Sequence, residues 1–194
     1  MKLIGAILAG GQSRRMGQDK ALLPLGESKT GQSTLLEYMF NKLQACDLFD
    51  EIIICRDPKA QRPPGLEAIR FLADLLPDRG PLGALYTLAE HYPSQRALVV
   101  PVDMPLLDCA LLKQLVSTAD HAAASHYGGH YFPLLIHLNK TVRRHLKTRI
   151  FGEEKNYALA AVLDDIVAQT LSGPEEQSGF SNINTPKEWR ALGL

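Results

Sequence analysis

Hydrophobic residues along the chain occur in short unbroken runs and in helical periods, and the two kinds of segment alternate. The run Leu3–Leu8 ends at Ala9-Gly10-Gly11, which is typical of a strand buried on both faces of a parallel sheet. Thr34-Leu35-Leu36-Glu37 has the spacing of a capping box, and apolar residues then recur at helical intervals. The β-branched run Glu51–Cys55 predicts a second strand.

The alternation continues with a helix from Gly80 to about His91, a buried strand over Ala97–Val102 and a helix near Leu111–Val116. This order predicts an α/β fold, and ligands of such folds bind beyond the carboxyl ends of the strands. We expect a single Rossmann-like domain over residues 1–194. It should be a three-layer sandwich with a mostly parallel sheet and helices on both faces.

The C-terminal part is less regular. Its sequence predicts a strand over Phe132–Leu138 and a helix over Lys140–Lys147. A loop over Leu171–Phe180 and a last helix from Thr185-Pro186 onwards should follow.

Composition narrows the class of protein. Twenty-one basic residues balance twenty-one acidic ones, which argues against a protein that coats nucleic acid. No apolar run approaches the roughly 20 residues of a membrane span, and the N-terminus lacks the pattern of a signal peptide. We therefore expect a cytoplasmic protein that binds neither nucleic acid nor membrane. The three cysteines have no paired spacing, so we expect them reduced.

The segment from Leu8 to Lys20 holds the richest chemistry. It is a strand end that leads into a glycine-bearing turn with three cations and one anion, a net charge of +2. Small residues let backbone amides approach phosphate oxygens, and Arg15 and Lys20 can neutralise a polyphosphate. The dinucleotide-binding pattern is absent, and Gly26–Ser33 only mimics a P-loop because Gln32 replaces its lysine. We interpret Gly26–Ser33 as a surface loop.

Asp103 follows the strand Ala97–Val102 and stands between Pro101 and Pro105. Magnesium takes one or two protein carboxylates together with substrate phosphates and waters, so Asp103 opposite a phosphate loop is a candidate ligand. Asp74 lies at another predicted strand end and is placed to reach the ribose or a second substrate.

Four motifs in this order resemble the molybdenum cofactor guanylyltransferase family over nearly the whole chain. They are Leu8-Ala9-Gly10-Gly11-x-Ser13-x-Arg15-Met16-Gly17-x-Asp19-Lys20, Gly80-Pro81-Leu82-Gly83, Pro101-Val102-Asp103-Met104-Pro105 and Asn182-Ile183-Asn184-Thr185-Pro186. The resemblance implies a Mg²⁺-dependent enzyme that transfers GMP from GTP to molybdopterin. Molybdoenzymes or other proteins of cofactor biosynthesis are then the implied protein partners.

The resemblance also assigns roles to individual residues. Arg15, Lys20 and Asp103 would be catalytic, with Asp103 as the magnesium ligand, and Asn182 and Asn184 would face the second substrate. The nucleotide would be held by Leu8, Ala9, Gly10, Gly11, Lys20, Asp74 and Asp103.

Two alternatives stay open from the sequence. The family often has an asparagine after the second strand where this chain has Cys55-Arg56, so an enzyme of the same fold that uses CTP or a sugar-phosphate acceptor remains an alternative. A non-catalytic carrier of the finished cofactor is the alternative from another class. Such a carrier would not need the complete set of Arg15, Lys20 and Asp103.

Overall fold

The computed structural model describes residues 1–10, 19–28, 31–118, 122–152, 157–173, 178–183 and 188. Over these residues the strands are β1 (Leu3–Leu8), β2 (Pro24–Ser28), β3 (Gly31–Thr34), β4 (Glu51–Cys55), β5 (Phe71–Leu72), β6 (Arg96–Pro101), β7 (Ala124–Tyr127), β8 (Leu134–His137) and β9 (Gln169–Leu171). The α-helices are α1 (Leu35–Ala45), α2 (Gly80–His91), α3 (Cys109–Thr118), α4 (Lys140–Phe151) and α5 (Leu159–Asp165).

Seven of these strands form one sheet in the order β5-β4-β1-β6-β8-β7-β9. Strand β1 is the third in this order and pairs in parallel with β4 and β6, so that Ile4 is opposite Glu51 on one side and Ala97 on the other. Strand β8 runs antiparallel to both of its neighbours, β6 and β7. The sheet is therefore mostly parallel, as the alternation of strands and helices predicts.

Helices cover both faces of the sheet because successive strand residues point to opposite sides. Ile7 and Leu98 pack in a core with α1 and α3. Ile4 and Val99 pack in a second core with α2, α4 and α5. The three-layer arrangement predicted from the sequence is thus confirmed, and the parallel strands end together at one edge of the sheet.

Local sequence signals account for the best-defined elements. Thr34 caps α1 by accepting a hydrogen bond from the Glu37 amide at 3.2 Å, and the Glu37 carboxylate accepts one from the Thr34 amide. Strands β1 and β4 have the predicted bounds. None of the described helices is long and apolar enough to cross a membrane.

Two expectations from the sequence are wrong. Gly26–Ser33 is not a surface loop, because β2 and β3 form an antiparallel hairpin whose described strands include most of it. The cysteines are not all reduced, because Cys46 and Cys109 form a disulfide across 63 residues of sequence. The fold brings the end of α1 to the start of α3, a proximity that sequence spacing does not reveal. The predicted start of the last helix, Thr185-Pro186, lies outside the described residues.

Candidate active site

A cavity of about 630 Å³ opens at the carboxyl ends of the central strands β1, β4 and β6. Residues from three strand ends, the turn at residue 20 and the start of α2 line it together. They are Leu8, Ala9, Gly10, Asp19, Lys20, Ala21, Cys55, Asp74, Asp78, Gly80, Pro81, Ala84, Pro101, Val102, Asp103 and Phe132. This position is the one in which open α/β sheets bind their ligands.

The cavity contains an ion pair between two of the predicted residues. The Lys20 Nζ donates a hydrogen bond to Asp103 Oδ2 at 2.9 Å, and the two side chains are only 15% and 19% exposed. Lys20 starts a short 3-10 helix, Lys20–Leu22, which Asp19 caps by accepting a hydrogen bond from the Ala21 amide. A cation and a carboxylate from distant parts of the chain therefore meet inside the cavity.

Backbone hydrogen bonds hold the strand ends beside this ion pair. The Ala9 amide donates to the Cys55 carbonyl at 3.1 Å, and the Val102 amide donates to the Leu8 carbonyl at 3.0 Å. A Cβ at Gly10 would lie 3.4 Å from the Cys55 carbonyl oxygen, an ordinary contact, and glycine places no side chain between its backbone and the cavity. The backbone at Ala9 and Gly10 is thus accessible to a ligand from the cavity side.

Asp74 reaches the cavity from the segment that follows β5. The Leu75 amide donates to Thr87 Oγ1 at 2.9 Å, and this hydroxyl in turn donates to the Gly83 carbonyl at 2.8 Å. A Cβ at Gly83 would lie 2.7 Å from the Leu76 carbonyl oxygen, so only glycine lets this segment approach α2 so closely. Burial raises the pKa of Asp74 above its ordinary value. The site therefore holds a carboxylate in an unfavourable environment.

Cys55 lies at the end of β4 and is buried. Burial, aided by the negative charge of Asp74, raises the pKa of its thiol to about 12. The thiol therefore stays protonated at neutral pH, and it offers a weak hydrogen-bond donor rather than a nucleophile.

Two further features of the cavity suit a charged, partly aromatic ligand. Gly80 and Pro81 begin the twelve-residue helix α2 at the cavity wall, so the positive end of its dipole faces the site. Phe132 contributes an aromatic ring to the lining. Asp78, with a positive φ of 62°, adds a carboxylate that the sequence did not suggest.

The oxygen donors of the site are compatible with magnesium. Among the described residues, no three His, Cys, Asp or Glu side chains are grouped closely enough to hold a metal ion by themselves. Magnesium needs only one or two carboxylates when substrate phosphates and waters complete its shell. The Asp103 carboxylate borders the cavity and is partly exposed, so it fits that requirement.

The structure brings most of the predicted residues together. Leu8, Ala9, Gly10, Lys20, Asp74 and Asp103 all line the cavity. Arg15, Gly11 and Asn184 lie outside the described residues. Asn182 is exposed and does not line the cavity, but the amide of the next residue, Ile183, donates to the Asp103 carbonyl at 2.9 Å.

Sequence reasoning missed one residue that organises the site. The buried guanidinium of Arg56 forms an ion pair with Asp19 and donates a hydrogen bond to the Ala9 carbonyl. The sequence marked this position only as a charged residue after a buried strand and as a departure from the asparagine that the family often has there. Its partners come from 37 and 47 residues away, so spacing alone could not identify them.

A mostly parallel sheet with a lysine, a carboxylate and a glycine-bearing strand end around one cavity is the arrangement of an α/β protein that binds phosphate groups. Comparison with known proteins gives the family. Residues 5–168 match the model of the MobA-like NTP transferase domain. The chain belongs to this family.

Relatives match along nearly their whole length. The molybdenum cofactor guanylyltransferase of Xanthomonas euvesicatoria is 33% identical over 190 residues, which cover 97% of this chain and 93% of that protein. A probable molybdenum cofactor guanylyltransferase of Mycobacterium avium is 35% identical over 201 residues, covering 99% and 95%.

Solved structures agree with the fold. A nucleotidyl transferase from Methanothermobacter thermautotroptrophicus superposes with a TM-score of 0.73 at 17% identity, covering 98% of this chain and 95% of that one. The 2-C-methyl-D-erythritol 4-phosphate cytidylyltransferase from Thermus thermophilus gives a TM-score of 0.68 at 18% identity, covering 98% and 97%.

Proposed function

We propose that this protein transfers GMP from GTP to the terminal phosphate of molybdopterin, which yields molybdopterin guanine dinucleotide and pyrophosphate. The observation that carries the proposal is the pairing of Lys20 with Asp103 at 2.9 Å, inside a cavity that Ala9 and Gly10 also line. The names of the relatives that are at least 33% identical support guanine and molybdopterin as the substrates.

The reaction needs no enzymatic base. The acceptor is a phosphate monoester with a second pKa of about 6, so it is largely ionised at neutral pH. Its oxygen attacks the α-phosphorus of GTP, the bond from that phosphorus to the bridging oxygen breaks, and pyrophosphate leaves with the electron pair. No proton has to move, and the protonated thiol of Cys55 takes no covalent part.

The task of the protein is to align two phosphate groups that repel each other. In the proposal, the backbone at Ala9 and Gly10 and the Lys20 ammonium hold the triphosphate, while Asp74 contacts the nucleoside part of GTP. Arg15 adds a cation, and Asn182 and Asn184 contact molybdopterin. Magnesium bound by Asp103 would neutralise charge on the α-phosphate and on the leaving pyrophosphate.

Nucleotide-dependent thermal stabilisation tests the proposal. A ligand that binds only the folded protein stabilises it by about 2.7 kcal/mol at a hundred times its Kd. GTP with Mg²⁺ should raise the Tm more than CTP, ATP or UTP does, and Asp103→Asn should remove the part that depends on Mg²⁺. A larger shift with CTP would favour the cytidylyl alternative, and no shift with any nucleotide would favour the carrier.

We also place the reaction in the cytoplasm. The Cys46–Cys109 disulfide is unusual for this location, because structural disulfides persist mainly in oxidising compartments. Cell fractionation therefore tests the location. Recovery of the protein with the cytoplasmic fraction supports the location, and recovery from an exported fraction contradicts it.

A further inference from the structure

Arg56 is a buried cation that lies next to the cavity without lining it. Its Nη1 donates to the Ala9 carbonyl at 3.0 Å and to Asp19 Oδ1 at 3.1 Å, and its Nη2 pairs with Asp19 Oδ2. Ala9 and Asp19 stand on either side of the segment 10–18, which the resemblance links to the triphosphate. One guanidinium therefore joins the two ends of the nucleotide loop.

Backbone hydrogen bonds tie the chain at Arg56 to the strands on both sides of it. The Arg56 amide donates to the Leu72 carbonyl at 3.0 Å, and the Cys55 carbonyl accepts the Ala9 amide. Arg56 thus follows directly on β4, between β1 and β5. A side chain that starts from a strand paired on both sides can hold its partners within the small tolerance that catalysis requires.

The effect of Arg56 reaches the reacting groups through Asp19. The Asp19 carboxylate accepts from the Arg56 guanidinium and from the Ala21 amide, so its orientation fixes the turn that begins at Lys20. The next side chain, Lys20, contacts Asp103 at 2.9 Å. Two polar contacts, joined by the peptide bond between Asp19 and Lys20, therefore connect Arg56 with Asp103 in the cavity.

Burying the Arg56 guanidinium costs folding free energy, so stability alone does not explain the arrangement. A buried arginine must be desolvated, and Arg56 Nε is buried with no hydrogen-bond partner among the residues that the structure describes. Asp19, its counter-ion, is 38% exposed at the cavity side. A buried cation with one unsatisfied donor is better explained by the need to orient Ala9 and Asp19 than by a gain in folding free energy.

From these contacts we infer that Arg56 is a positioning residue for nucleotidyl transfer, which sets the distance between the strand end at Ala9 and the catalytic Lys20. This inference rests on the proposed function. Arg56 does not touch the substrate, and it acts through Asp19. Lysine cannot replace it, because an ammonium cannot form the forked pair with a carboxylate and reach the Ala9 carbonyl as well.

Steady-state kinetics of Arg56→Lys with GTP, Mg²⁺ and molybdopterin test the inference. We expect kcat to fall by about tenfold to a hundredfold, and KM for GTP to change less than kcat, because misplacement by about 1 Å acts mainly on the transition state. Arg149→Lys is the matched control. The Arg149 guanidinium forms two hydrogen bonds of 2.6 Å with Asp165, and this pair does not line the cavity. The kinetics of Arg149→Lys should therefore equal those of the wild type.

A double-mutant cycle separates positioning from general stability. If Arg56 acts through Lys20, then Arg56→Lys should lower kcat by less than about threefold in a protein that already carries Lys20→Ala. If the double variant instead lost kcat by the product of the two single losses, the inference would be contradicted. Asp19→Asn provides a second variant if Arg56→Lys fails to fold. Asp19→Asn should lower kcat in the same way as Arg56→Lys. Its loss of kcat should not add to the loss caused by Lys20→Ala.

The two proposals fail in different ways. An active wild type whose Arg56→Lys and Asp19→Asn variants keep kcat within about twofold overturns the positioning role alone. A folded wild type that releases no pyrophosphate from GTP and molybdopterin overturns the proposed function, and the inference with it.

Discussion

Asp74 occupies an unfavourable environment in the cavity, and this has a consequence for stability. Burial raises the pKa of Asp74 in the folded protein, whereas the unfolded chain keeps the ordinary value of about 3.9. The folded state therefore binds more protons between the two values. The contribution of Asp74 to folding is fully present below the ordinary value and is lost as pH rises through the raised one.

We expect Asp74→Asn to raise the free energy of unfolding at pH 7, because the amide avoids the cost of a partly buried charge. The gain over the wild type should shrink as pH falls through the raised pKa of the folded protein, because the wild-type carboxyl then becomes protonated. Urea unfolding at a series of pH values measures this difference. Asp164→Asn, at an exposed carboxylate on α5, is the control and should change nothing. A less stable Asp74→Asn at neutral pH would contradict the assigned burial cost.

The same variant links stability with function. In the proposed function Asp74 contacts the nucleotide, so Asp74→Asn should gain stability while it loses affinity for GTP. Such opposite effects are typical of residues kept for binding rather than for folding. At the residue scale, the sequence suggested Lys20 from a motif and Asp74 from its place at a predicted strand end, but it could not reveal that partial burial raises the pKa of Asp74.

Helix α2 and the segment before it meet more closely than two ordinary elements could. Gly83 allows this contact, because a Cβ at that position would lie 2.7 Å from the Leu76 carbonyl oxygen. Alanine has a higher helix propensity than glycine by about 1 kcal/mol, so propensity alone predicts that Gly83→Ala stabilises the protein.

We expect the opposite result for Gly83→Ala. The methyl group should push the segment that carries Asp74 away from α2, lower the free energy of unfolding and weaken GTP binding. Urea unfolding and GTP titration measure the two effects. A variant that is more stable and binds GTP normally would show that the segment can move without consequence.

Helix α1 is joined both to the segment before α3 and to the first residue of α3. The Lys42 Nζ donates to the Pro105 carbonyl at 2.6 Å and to the Leu107 carbonyl at 3.1 Å, and Cys46 is bonded to Cys109 one turn further along α1. Both contacts hold the chain shortly after Asp103. Neither was predictable from the sequence, because each joins residues about 63 positions apart.

The disulfide makes a prediction that thiol titration can check. Protein unfolded without reductant should expose one thiol, Cys55, and protein unfolded after reduction should expose three. In the chain-entropy model, a closed loop of this size stabilises the native state by about 4 kcal/mol, so reduction should lower the Tm. Three thiols in the unreduced protein would contradict the bond.

For the molecule as a whole, the sequence predicts the elements with strong local signals. The buried runs of β1 and β4 and the capping box of α1 belong to this group. The hairpin of β2 and β3 resembles a loop in sequence because glycine and polar residues are unfavourable in strands. The short strand β9 escapes prediction because its three residues depend on pairing with β7 rather than on their own pattern.

The residues of the site likewise divide into those with a local sequence signal and those without one. Motifs indicate the residues at strand ends, which the parallel sheet then brings together at one edge. The pairing of Arg56 with Asp19 and the approach of Asp78 to the cavity depend on tertiary contacts, so a single sequence could not indicate them. Local chemistry was therefore predictable, while the contacts that orient it were not.

The most direct test of the account is to identify the product. Purified protein with GTP, Mg²⁺ and molybdopterin should form molybdopterin guanine dinucleotide and pyrophosphate in equal amounts, as measured by mass spectrometry and a pyrophosphate assay. Asp103→Asn should reduce the rate by about two orders of magnitude, the loss typical of one electrostatic stabiliser. Absence of the dinucleotide, or faster formation of a cytosine dinucleotide from CTP, would contradict the guanylyl transfer proposed for this chain.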